Sequence, residues 1–588
     1  MSEAVISSIG GPVLHARAKS PFRIGEAIAI GHARLPGEVI RLKGDEVVAQ
    51  VYEDTTGLRP GDPVYGSGRA LSVALGPSLL GHIFDGLLRP LEKGAAAARA
   101  ARRFAFEPVV AAGAYAAGGS VLGRIIGGHI RQLCLVPPGV EGYVESIAAG
   151  GDYSESESIA VIATPVGQRV EIGLAQSWPV RQPRPVAERL GADELMVTGQ
   201  RILDTLFPVA RGGRAALPGG FGTGKTVLQE TLAKWCDADV IVYVGCGERG
   251  NEMTEVLHEL PALTDPRTGA RLMERTVIIA NTSNMAVAAR EASIYTAVTV
   301  GEYFRDQGLH VALMADSTSR WAEALREVAG RLGELPGEAG YPAYLSSRLA
   351  EFYERAARVR TLSGATGSLT IIGAVSPAAG DFSEPVTSHT KRYISTFWGL
   401  DRGRAQARFY PAVHPLQSYS DAAQRLGSWW TAHGNPNWLA DRDRLLTMLE
   451  AQANLERMAR IVGKDALPAS QQLTLISAEL VNEALLRQSA YSETDRYCSP
   501  ERQTAMLRLV LRFLDLGEQA LTRGVKPDAI GALPVLRRLQ RMGEDIGEGD
   551  ISRFDDLRLT LEQAMAELVK DAEVEPGAAA GSTTSQGG

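Results

Sequence analysis

The sequence is poor in the features that would send it into a membrane or staple it with disulfides. The uncharged stretch from Pro108 to Gly123 is mostly Ala and Gly. A bilayer span needs about 20 strongly apolar residues, so any membrane role is expected to run through partners. Residues 1–30 lack a basic start followed by an apolar run, so no secretory signal is expected. Four cysteines occur (Cys134, Cys236, Cys246, Cys498), with no CxxC pair. That suits a reducing compartment without a disulfide framework, and each is read as a small buried hydrophobe. The nine histidines show no HxxxH or HExxH spacing, which argues against zinc. No GxSxG elbow announces a serine hydrolase. Basic charge is not in excess: the formal net charge is −7, so nucleic acid is not an expected partner.

What remains is a chain built to fold. Its hydrophobic fraction, 45%, is that of a protein with real cores. Its 588 residues allow roughly three or four domains. Over residues 1–72, β-branched runs such as Val47–Tyr52 alternate with Gly and Pro turns, which predicts a small β-barrel. Residues 73–110 mix a Gly-rich turn with a helical-looking stretch rich in Ala and Arg. Residues 111–183 return to β character. Residues 184–430 alternate apolar strands with helical segments, the pattern of a parallel α/β sheet. The strands read there are Val240–Val244, Val277–Ala280, His310–Ala315 and Leu369–Val375. Residues 431–572 carry amphipathic helical patterns, for example Arg502–Leu514 and Asp556–Val569. From Glu573 a tail rich in Gly, Ala, Ser and Thr reads as disordered.

The strongest chemical signal is Gly219-Gly220-Phe221-Gly222-Thr223-Gly224-Lys225-Thr226. An apolar strand end, Ala215–Pro218, precedes it, and a helix-forming run from Val227 follows. Glycines let backbone N–H groups converge on phosphate oxygens, and the helix N-terminus adds a favourable dipole. Lys225 is expected to reach the β- and γ-phosphates and the Thr226 hydroxyl to ligate Mg²⁺. Asp316 ends an apolar strand, where a carboxylate can hold Mg²⁺ through water. Alone it would read as a strand-end cap. Glu248 follows the strand Val240–Val244. A carboxylate there can orient and deprotonate an attacking water, and Arg249 can pair with a γ-phosphate. By periodicity alone both would read as solvated loop charges; Glu248 becomes catalytic only if its strand lies beside the phosphate-loop strand.

Gly219–Thr226, Gly245–Glu255 and Met314–Glu327 together resemble the catalytic A subunit of V-type (vacuolar or archaeal-type) rotary ATPases. Pro411–Ser420 is similar to the signature shared by rotary ATPase α/β-type subunits. Gln50–Leu58 and Gly81–Leu91 are similar to further segments of the family. The resemblance runs from about residue 5 to about residue 570. It implies a multi-domain fold. The expected parts are an N-terminal β-barrel (1–72) and a RecA-like P-loop α/β domain (73–110 and 184–430). A β-rich insertion (111–183), a C-terminal helical domain (431–572) and a disordered tail (573–588) complete it. The insertion is what separates these catalytic chains from F-type β subunits and homohexameric export ATPases. The resemblance also implies roles: Lys225 and Thr226 on phosphate and Mg²⁺, Glu248 on the water, Arg249 on the γ-phosphate, and Asp316 on Mg²⁺ through water. Gly219 to Val227 would surround the phosphates of ATP or ADP. Tyr410 and Tyr491 match the two aromatics that flank adenine, although as bare pattern both could equally be packing residues. Gly220 stands where the family often has Pro, and Thr223 where eukaryotic members carry Cys.

The implied protein is one half of a peripheral, cytoplasmic head, in which it alternates with B subunits. B would supply an arginine finger, and central and peripheral stalk subunits would couple the head to H⁺ or Na⁺ transport. An RNA-translocating helicase would need a basic, aromatic-studded barrel, which residues 1–72 lack. A non-catalytic partner would not need Lys225, Thr226, Glu248 and Asp316 together.

Overall fold

The computed structural model describes residues 2–91, 99 and 101–579. It divides into two compact units. One comprises Met1–Ala192, Arg211–Phe221 and Ala238–Ser395; the other comprises Asp193–Ala210, Gly222–Asp237 and Thr396–Gly588.

The first unit opens with a closed six-stranded antiparallel barrel. Its strands are Glu3–Gly10, Val13–Ala18, Glu26–Ile30, Leu35–Lys43, Glu46–Val51 and Pro63–Ala70, and the first pairs with both the second and the last. Closure removes the free edges that a small sheet would otherwise expose. Alternating residues such as Leu14, Ala16, Val47, Ala49 and Val51 fill its interior.

An inserted domain follows, made of two four-stranded antiparallel sheets. One holds Tyr115–Ala116, Gly142–Ile147, Ser158–Ala163 and Arg169–Gly173; the other holds Gln132–Leu135, Val121–Ile126, Arg103–Pro108 and Gly151–Ser154. Phe106, Leu122, Val136, Ile159 and Ile162 close its core. Here the expected boundary at residue 111 is too late. Arg103–Pro108 pairs with Val121–Ile126 and Gly151–Ser154, and its Phe104 and Phe106 belong to the insertion's core. The period-2 pattern of that strand sits directly behind an Ala-rich stretch, which masked it. The helical reading of that stretch falls on residues 92–98 and 100, outside the described residues.

The core of the first unit is a parallel sheet. Its order is Arg214–Pro218, Thr366–Val375, His310–Asp316, Val240–Glu248, Thr276–Thr282 and Ile83–Phe84. Val240–Glu248 is buried along its whole length, as expected of a parallel strand covered on both faces. The strands run longer than the sequence suggested, and Asp316 and Glu248 are their last residues.

The second unit is mainly helical. Lys225–Trp235 begins at the phosphate loop, and the long helices are Trp438–Val462, Ala469–Leu480, Pro500–Thr522 and Arg553–Ala579. The last helix overruns the start expected for the tail: residues 573–579 continue it, since extending a helix that is already formed costs far less than starting one, although Pro576 and Gly577 are poor helix formers. Residues 580–588 lie outside the described residues. Among the described residues no helix is long and apolar enough to cross a membrane. All four cysteines are buried.

Candidate functional site

The parallel sheet brings the predicted chemistry of the first unit to one edge. Pro218 pairs with Val375, Ala315 with Gly373, and Gly245 with Asp316. The carboxyl ends of these strands therefore open on the same side, where ligands of open α/β sheets bind. Gly219, Gly220 and Phe221 leave the first strand there. The Gly219 N–H donates to the Val375 carbonyl at 3.1 Å, and Phe221 is exposed.

The condition set for Glu248 is not met. Its strand is not beside the phosphate-loop strand; Thr366–Val375 and His310–Asp316 lie between them. At ~4.8 Å per strand step that is roughly 14 Å. Adjacency was the wrong requirement. In a parallel sheet the strand order is free to differ from the chain order, and any strand end on that edge can face a bound molecule.

Asp316 is 3% exposed and accepts a hydrogen bond from the Tyr243 hydroxyl at 3.3 Å. Glu248, 9% exposed, follows an irregularity in its strand where packing and backbone leave Gly247 little alternative. A Cβ on Gly245 would meet Met253 Cε at 1.7 Å. Gly247 has φ +74, and a Cβ there would meet Arg290 Cδ at 2.7 Å and Arg320 Cβ at 3.0 Å. Arg249 is exposed and caps the helix Gly250–Ala262.

Arg290 and Arg320 are two cations beside Glu248 to which the sequence assigned no role. Arg290 donates to the Ser283 carbonyl at 3.0 Å. Arg320 pairs with Glu323 at 3.0 Å. Burial works against the Arg320 charge; its hydrogen bond to Glu323 and the charges of Glu323, Glu248 and Glu252 hold its pKa above the usual guanidinium value. Nothing local in the sequence marks these two residues, since what singles them out is the space left by Gly247.

The second unit holds the rest of the predicted set. Gly222 (φ +76) and Gly224 (φ +82) adopt left-handed backbone that suits glycine. Thr223 is buried. Gly224 is the N-cap of Lys225–Trp235, so Lys225 and Thr226 are that helix's first two residues. This is the orientation in which unsatisfied N–H groups attract phosphate.

Next to this helix start is a cavity of about 430 Å³ lined by Gly222, Gly224, Val227, Leu228, Tyr410 and Tyr491, among others. Tyr410 lies against the loop, its ring 3.3 Å from where a Gly224 Cβ would sit. The Gln488 N–H donates to the Tyr410 carbonyl at 2.8 Å, which joins the two aromatic segments. Tyr491 is 90% exposed. The cavity is mostly apolar with a few polar groups, the usual make-up of a small-molecule site.

Comparison with known proteins finds four matching family domains along the chain. Residues 6–68 match the beta-barrel domain of the ATP synthase alpha/beta family, and residues 95–181 match the family's barrel-sandwich domain. Residues 199–420 match the family's nucleotide-binding domain, and residues 427–529 the C-terminal domain of V and A type ATP synthase. The A subunit of the A-type ATP synthase from Methanopyrus kandleri is 48% identical over 96% of this chain and 98% of its own. Its counterpart from Desulfurococcus sp. is 50% identical, covering 91% and 94%. The chain belongs to the ATP synthase alpha/beta family. As a family member it carries the nucleotide-binding domain in which the phosphate loop lies. A solved structure of the assembled ATPase EscN, from the type III secretion system of enteropathogenic E. coli, superposes with a TM-score of 0.63. It covers 86% of this chain and 100% of EscN at 24% identity, a likeness of fold.

Proposed function

We propose that this chain is the catalytic subunit of the peripheral head of a V/A-type rotary ATPase, hydrolysing or making ATP. The observation that carries the reading is the complete phosphate loop at a helix start, in a chain whose Glu248 and Asp316 end strands on the loop strand's own sheet edge. Lys225 and the loop N–H groups hold the β- and γ-phosphates, and Arg249 meets the γ-phosphate. Glu248 orients the attacking water and takes its proton. Tyr410 and Tyr491 flank the adenine. Gly219 to Val227 wrap the phosphate chain.

The residues fit Mg²⁺. It is a hard cation that takes one or two protein oxygens plus phosphate oxygens and water, and Thr226 and Asp316 supply a hydroxyl and a carboxylate. Among the described residues no cluster of three or more His, Cys, Asp or Glu suits a softer or fully caged metal. When bound, Mg²⁺ neutralises charge building on the phosphates.

The partners are B subunits, which alternate with this chain in a hetero-hexamer, and stalk subunits that link the head to ion-translocating membrane subunits. The chain would then sit on the cytoplasmic membrane face through the complex. B would supply an arginine, which in related phosphoryl transfer is worth roughly 10³–10⁵ in rate. The inserted two-sheet domain favours this reading over a homohexameric export ATPase.

Native mass spectrometry with a hydrolysis assay tests it. The chain alone should be a poor ATPase, and adding its B partner should give an alternating hetero-oligomer with a rate gain of roughly 10³-fold or more. A stable, fully active homo-oligomer would overturn the reading.

A further inference from the structure

Tyr491 is exposed on a short loop and has little packing to hold it. The segment that leads into it alternates buried Gln488 with the less buried Arg487 and Ser489. Arg487 and Ser489 line the 430 Å³ cavity on one side and a second cavity, about 480 Å³, on the other. With open space beside Arg487 and Ser489 on both sides, polar contacts carry much of what holds the wall.

Besides the Gln488 N–H to the Tyr410 carbonyl and the Arg487 N–H to the Asn482 carbonyl, several of those contacts meet at one residue. Arg201 is 1% exposed and stands at the N-cap of the short helix Ile202–Leu206, almost three hundred residues away in sequence. Its backbone N–H donates to Gln488 Oε1 at 2.8 Å, and its Nε donates to the Leu485 carbonyl at 2.9 Å. One terminal nitrogen donates to the Arg487 carbonyl, and the other pairs with Asp495 at 2.5 Å. Asp495 then closes the loop that carries Tyr491. It accepts from the Ser489 N–H at 2.8 Å, and its own N–H donates to Ser492 Oγ at 3.2 Å. Gln488 returns the contact through Nε2 to the Gly199 carbonyl at 2.8 Å. The chain just before Arg201 is shaped for this: Gly199 has φ +73, and a Cβ there would strike the Tyr497 ring at 2.2 Å.

We propose that Arg201 is a positioning residue for nucleotide affinity: with Asp495 and Gln488 it sets the wall 487–491 and so the place of Tyr491. It touches no phosphate and takes no part in cleavage. The inference rests on the reading of the 430 Å³ cavity as the base pocket. It goes beyond that reading by naming what holds the pocket's outer wall.

The test uses the chain in its assembled complex, with two variants. Arg201→Lys keeps the charge facing Asp495 but loses the fork that reaches Leu485 and Arg487. Asp495→Asn keeps the shape and weakens the ion pair, and it carries the test if Arg201→Lys fails to fold. Each should raise KM for ATP about tenfold, the size of one lost base-stacking contact, with kcat unchanged. The inhibition constant of tripolyphosphate, which has no base, should stay at the wild-type value. An unchanged KM would overturn the proposal. So would a tripolyphosphate constant that rises in step with KM, which would mean general damage to the site. Failure of the underlying reading looks different: Tyr491→Ala, which removes the ring from the cavity itself, would also leave KM for ATP unchanged.

Discussion

Asp316 and Tyr491 are placed by different physics. Asp316 ends a buried parallel strand, and the register against Gly245 fixes where its carboxylate emerges. To move it, the sheet must move. Tyr491 stands in solvent on a loop whose position depends on a few hydrogen bonds from Arg201, Gln488 and Asp495. Asp316 and Glu248 thus end buried parallel strands, whereas Tyr491 hangs from a loop held by a few hydrogen bonds. Rigid elements position reacting groups more closely than loops do, and a loop can open to admit and release nucleotide.

The comparison can be broken at several points. A large effect is expected from Lys225→Ala, which removes the cation at the helix start; hydrolysis by the complex should fall by at least about 10²–10³. Undiminished turnover would remove the phosphate loop from the site.

A smaller effect concerns Asp204, buried in the short helix Ile202–Leu206 that Arg201 caps. It accepts from the Thr198 N–H and hydroxyl, the Gly199 N–H and Gln503 Nε2. Burial outweighs those hydrogen bonds and lifts its pKa to about 6. The folded state therefore holds this proton more tightly than the unfolded chain. The stabilisation is complete below about pH 4 and is lost as pH rises through about 6. A shift of two units is worth roughly 3 kcal/mol. The wild type should gain melting temperature relative to Asp204→Asn as pH falls from about 7 to about 4. A pH-independent difference between the two would show that this carboxylate stays ionised.

The smallest effect is Tyr491→Ala. Stacking is worth about 1–3 kcal/mol per base, so KM should rise by about tenfold or more. Tyr491→Phe should match the wild type, and stability should change in neither. An unchanged KM in Tyr491→Ala would return Tyr491 to an ordinary surface residue.

How legible each part was follows from how local its signal is. The phosphate loop is one contiguous motif and Asp316 directly ends an apolar run, so both stood out in the sequence, whereas Glu248, past Gly245-Cys246-Gly247, read as a loop charge on pattern alone. Strand order was not. Nothing in the run Val240–Glu248 says that two strands separate it from Arg214–Pro218, because parallel partners are chosen by packing across long connections. The strand Arg103–Pro108 was lost because its Phe-Ala-Phe alternation is short and follows an Ala-rich stretch. Arg290 and Arg320 stand on helices and are drawn to Glu248 only by the space beside Gly247. Arg201 and Asp495 are nearly three hundred positions apart, and no periodicity links them.

The central claim is that Glu248 activates the water despite lying two strands beyond the loop strand's neighbour position. Single-turnover hydrolysis by the assembled complex carrying Glu248→Gln tests it most directly. The amide cannot take the proton but keeps the shape. The expected result is that ATP stays bound and that its cleavage slows by about 10²–10⁴. Cleavage at the wild-type rate would contradict the claim.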